Sequence, residues 1–199
     1  MIFSSAIMAT VLVYTWIVAP IAPRSFAVVP SAMVVGLAMW HAARSGEWGL
    51  SRAAFLPAFW QSAGVTAAAL CMIYVAGTRL GSWRAGPDVW SRLAVLVPWA
   101  LGQQFPLQTV FLREAQSATS KRGGIWLAGL MFGVLHLPNP FLAIATAGAA
   151  LLWCWLYDRH PNVLPLALSH AMLTLAIVYA FAERMTGGLH VGAAYLGRP

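Results

Sequence analysis

Long apolar runs separated by short polar breaks dominate the chain. A helix needs about 20 apolar residues to cross a bilayer core, and several runs approach that length. The first covers residues 2–22. It carries no basic segment ahead of it, and Arg24 follows it, so the pattern predicts an uncleaved anchor. The second runs from Phe26 to Ala43. A polar stretch with Arg44, Glu47 and Arg52 follows, and then an apolar, aromatic segment at Phe55–Trp60 that is expected to lie along the membrane interface. Further spans are expected at Trp60–Thr78, Leu93–Ala115, Ile125–Leu137, Phe141–Tyr157 and Asn162–Phe181. Pro138 and Pro140 should stop the fifth, because proline disfavours helix at the residue before it. The longest polar linker is Arg79–Arg92. The expectation is an all-α, multi-pass transmembrane helical bundle of about seven spans, forming one domain over residues 1–199 with a tail at 182–199.

Composition narrows the class. Hydrophobic residues make up 60% of the chain and charged residues 9%, against about 25% charged in a soluble domain. So few charges cannot cover a water-facing exterior, which excludes a soluble enzyme. The net charge of +7 implies no nucleic-acid partner, since the basic residues stand singly between apolar segments and form no run to track a phosphate backbone. They suit loop ends facing anionic headgroups, which makes membrane lipid the first partner. Lys and Arg divide six against six between the two alternating sides, so charge sets no orientation. Cys71 and Cys154 lie inside apolar runs and read as small buried hydrophobes.

Against this background, polar side chains at membrane depth stand out, because they are costly there and mark function by default. Three clusters occur on three spans. Gln103, Gln104 and Gln108 sit together on the fourth, with Pro106 among them, whose missing N–H frees the carbonyl of Gly102. His136 ends the fifth span, and His170 and Thr174 share a face of the seventh. Each alone would serve as a bundle-stabilising hydrogen bond of about 0.6–2 kcal/mol. Together they read as one site. A catalytic zinc takes three protein ligands, and two histidines without an intramembrane carboxylate or thiolate fall short, so neither metal nor cofactor is expected. Glu114 and Arg113, near the end of the fourth span, are expected to face headgroups or solvent. A transport pathway would bring inverted repeats or paired broken helices, and the chain shows neither.

From about Leu101 to Thr174 the chain resembles the CPBP family of intramembrane glutamic proteases, also called the Abi or CAAX-protease family. That family includes type II CAAX prenyl endopeptidases and bacteriocin-processing proteins. Its members carry Glu-Glu-x-x-x-Arg on one span, Phe-x-x-x-His on the next and His-x-x-x-Asn on a later one. Phe132 and His136 match the second motif, followed by Leu137-Pro138-Asn139-Pro140, and His170 matches the third. The resemblance implies a CPBP-like core at 93–181. It also implies departures: Gln103 and Gln104 stand where the glutamates belong, Gln108 where the arginine does, and Thr174 where Asn is usual. In the family the first glutamate is thought to activate water, while the histidines and Asn bind substrate or form an oxyanion hole. With the three first-motif positions all neutral, the resemblance implies a catalytically impaired relative that binds, assembles or assists another membrane protein or a lipid-modified peptide in a bacterial inner membrane. The alternative is an active endopeptidase in which His136 or His170 has taken over as base.

Overall fold

The computed structural model describes residues 1–84, 86 and 88–197; Ala85 and Pro87 of the linker and Arg198 and Pro199 of the tail lie outside it. The protein is all-α, with no strand among the described residues. The helices are α1 (Ile2–Val13, continued by a π-helical turn Tyr14–Val18), α2 (Val28–Ser45), α3 (Arg52–Arg79) and α4 (Val89–Pro106). A π-helical segment, Leu107–Leu112, leads into α5 (Arg113–Ala118). Then come α6 (Lys121–Val134), α7 (Pro140–Arg159), α8 (Val163–Ala180) and the short α9 (Glu183–Thr186) and α10 (Ala193–Leu196).

Four helical stretches are long and apolar enough to cross a membrane: Ser25–Ser45, Arg52–Arg79, Pro140–Arg159 and Val163–Ala180; Ile2–Val18 is a shorter apolar helix. The other two expected spans differ for physical reasons. At about 1.5 Å per residue, the 14 residues of α6 extend roughly 21 Å, short of a core about 30 Å thick. The fourth expected span carries its glutamines and gives way to the π-helical segment at Leu107. Large apolar side chains remain outward, with Ile21 84% and Trp90 83% exposed. In water such a surface would drive association; against lipid tails it is at home. This is an integral membrane protein. Phe55–Trp60, expected along the interface, forms the first part of the 28-residue α3. Cys71, expected to be buried, is exposed on α3, while Cys154 is buried.

Helix starts follow local chemistry. Ser51, Ser120 and Asn162 cap α3, α6 and α8, each accepting a backbone N–H two or three residues on, and Asn139 does the same for Leu142 in the first turn of α7. Gly46 ends α2 at φ +76°, in the left-handed region glycine tolerates best.

The chain folds as two compact units. One comprises Met1–Gly49, Phe105–Trp155 and Leu189–Pro199; the other comprises Leu50–Gln104 and Leu156–Gly188. In the first, Gly129 and Gly133 of α6 lie against α7. A Cβ on Gly133 would fall 2.8 Å from the Ala147 Cβ and 2.9 Å from the Ala143 carbonyl oxygen. Small residues one turn apart let two helices approach this closely, the usual solution where lipid gives no hydrophobic drive. In the second unit, α3 buries Ala54, Ala58, Ser62, Thr66 and Gly77. Gly77 meets the Ala180 backbone of α8 at similarly short range, and Thr66 Oγ1 donates to Ser169 Oγ at 2.6 Å.

Candidate functional site

In the second unit, α4 and α8 bring polar groups together. Ala100, Ala167 and Ala171 are fully buried in a cluster closed by Leu93, Leu96, Val97 and Leu101. These small side chains on both helices allow the next polar residues to meet. Gln104, with no exposed surface, sets its amide Nε2 3.4 Å from Nδ1 of His170, itself 4% exposed. The Trp99 ring lies edge-on to the imidazole, 5.3 Å between centroids. Gln103 is half-buried, and its Oε1, which is buried, accepts no hydrogen bond from the described residues. Thr174 lies one turn beyond His170 and is half-buried.

In the first unit, His136 follows the end of α6. Its Nδ1 lies 2.7 Å from the Phe132 carbonyl oxygen, and the two rings meet edge-on at 4.9 Å. A carbonyl only accepts, so Nδ1 carries the proton and neutral His136 keeps its basic lone pair on Nε2. The Phe-x-x-x-His spacing thus has a local cause, since residues four apart share a helix face. Gln108 is fully buried in the π-helical segment, together with all five of its companions there. Such segments occur mostly as single turns, frequently at functional sites. The structure therefore joins Gln104 with His170, while His136 and Gln108 belong to the other unit.

Arg113 and Glu114 correct the expectation that they face headgroups or solvent. The Arg113 guanidinium pairs with Glu47 at 3.0 Å and donates to Gln116. The Glu114 carboxylate accepts the backbone N–H groups of Phe3 and Ser4, at 3.2 and 2.8 Å, and so caps α1 from a distant part of the chain. Among the described residues no three His, Cys, Asp or Glu side chains gather as a metal site would require.

The family model described as Rce1-like, type II CAAX prenyl endopeptidase, matches residues 85–176. Over this segment the chain is similar to the Rce1-like, CAAX-protease family. No curated protein and no solved structure matches the chain. The Rce1-like segment includes α4, the π-helical segment, α5, α6, α7 and most of α8, and with them Gln103, Gln104, Gln108, His136, His170 and Thr174.

Within this segment the spacing Glu-Glu-x-x-x-Arg also fits Gln108-Thr109-Val110-Phe111-Leu112-Arg113, five residues after Gln103. In that register the arginine is present and takes its carboxylate from Glu47. In both registers the two glutamate positions hold uncharged side chains. The chain has only five carboxylates, Glu47, Asp88, Glu114, Asp158 and Glu183, and none stands at a motif glutamate.

Proposed function

We propose that this CAAX-protease-type membrane protein is catalytically impaired and works by binding: it holds or helps assemble another membrane protein, or a lipid-modified peptide, in a bacterial inner membrane. The observation that carries this reading is the amide of Gln104 beside His170. A glutamine can orient a group by hydrogen bonding but cannot take a proton from water, and loss of a general base typically lowers a rate by about 10²–10⁴. The retained histidines then act as recognition groups. Their donors and acceptors suit a peptide or carboxylate end, and the surrounding apolar side chains suit a lipid tail.

The second reading, an active endopeptidase using His136 and His170, rests on both motif histidines being present. One experiment separates the two. The full chain is purified from its native membrane in mild detergent, its partners are identified, and it is then offered a prenylated peptide ending in a CAAX sequence. The expected result is a stoichiometric membrane partner, with binding of the peptide but no cleavage. Cleavage that disappears in His136→Ala or His170→Ala would overturn the binding reading, and so would a chain that purifies alone and ignores the peptide.

A further inference from the structure

The turn that carries His136 is gripped from outside α6. Asn139, fully buried, uses its side chain in two directions: Oδ1 accepts the Leu142 N–H at the start of α7, and Nδ2 donates to the His190 carbonyl oxygen at 3.0 Å. Two residues on, Gly192 N–H donates to the Leu137 carbonyl oxygen at 2.9 Å, while Asn139 N–H donates to that of His136 at 3.2 Å. The backbone at 190–192 therefore holds the 136–139 turn on both sides of Pro138. Gly192 is what permits the approach. Its φ is +57°, and a Cβ there would lie 2.5 Å from the Thr15 carbonyl oxygen in the π-helical turn after α1. All of these residues belong to one unit.

We propose that residues 189–196 are a strap that fixes the His136 turn, with Asn139 as its positioning residue, so that the imidazole stays locked with Nδ1 on the Phe132 carbonyl. The tail thereby acquires a role: it sets which ring nitrogen of His136 offers a lone pair. The strap bears on the proposed function only through His136. Its test reads the ring and not turnover or partner capture, so the two proposals fail separately.

The test uses the full chain in nanodiscs with isotope-labelled histidine. Ring carbon shifts report the tautomer, and diethylpyrocarbonate reports accessibility of the imidazole. Wild type is expected to hold His136 as the Nδ1–H tautomer alone. Asn139→Asp keeps an oxygen for the Leu142 N–H but loses the donor to His190. It is expected to mix the tautomers and speed modification of His136 about fivefold, the factor corresponding to one net hydrogen bond. Gly192→Val should do the same or more. His190→Ala keeps the backbone carbonyl that Asn139 uses and should change neither. An unaltered His136 in Asn139→Asp overturns the strap, whether or not Gly192→Val folds.

Discussion

The two motif histidines are held in opposite ways. His170 depends on another helix: the Gln104 amide and the Trp99 ring both come from α4, and the residue is almost wholly buried. His136 depends on its own turn, through the Phe132 carbonyl and ring, with its turn braced by the strap. A side chain seated by tertiary packing cannot be altered without leaving a buried partner unmatched. One seated by its own helix end can be changed with little cost to stability, which frees it for contact with a ligand.

The largest expected effect comes from moving the helix that carries His136. Gly133→Val forces a side chain into the α7 backbone and should destabilise the first unit by about 3 kcal/mol, the upper range for overpacking. Thermal unfolding in a fixed detergent measures it, and an unchanged midpoint would deny the close α6–α7 seam. Next comes the comparison itself. His170→Ala takes a buried hydrogen-bond partner from the Gln104 amide and should cost about 1–3 kcal/mol, whereas His136→Ala should cost under about 1 kcal/mol. Equal losses would erase the distinction. Replacing both partners, Gln104→Leu with His170→Leu, should cost less than the two single changes added together, because residues in contact couple. The smallest effect is Glu47→Gln, about 1 kcal/mol or less for a partly exposed ion pair. In an Arg113→Gln background it should do less, and a double-mutant cycle reads the difference directly.

Much of the helical framework was legible because the signals are local: apolar runs of span length, Ser and Asn at helix starts, Pro138 and Pro140 after α6. The Phe132–His136 pairing was equally legible, being one turn of one helix. Other features depend on distant residues. Glu114 reads as a headgroup-facing carboxylate until the start of α1 arrives to be capped by it, and Arg113 reads as a loop-end cation until Glu47 is beside it. The π-helical segment leaves no period of its own in six apolar and polar residues. Phe55–Trp60 reads as interfacial by its aromatics and by Pro57, which removes one backbone donor. In the fold, packing of the small residues Ala54 and Ala58 carries the helix through it.

The remote cap on α1 has a consequence for biosynthesis. The N–H groups of Phe3 and Ser4 are made first, and the carboxylate that satisfies them follows 110 residues later. At synthesis rates of about 5–20 residues per second, α1 waits roughly 5–20 s for its cap. The intervening Leu50–Gln104 belongs to the other unit, so the first unit cannot close in order of appearance. During that interval the first N–H groups of α1 take other acceptors, such as water or lipid headgroups. Slowing translation between residues 50 and 114 would lengthen the most exposed moment in the life of this chain.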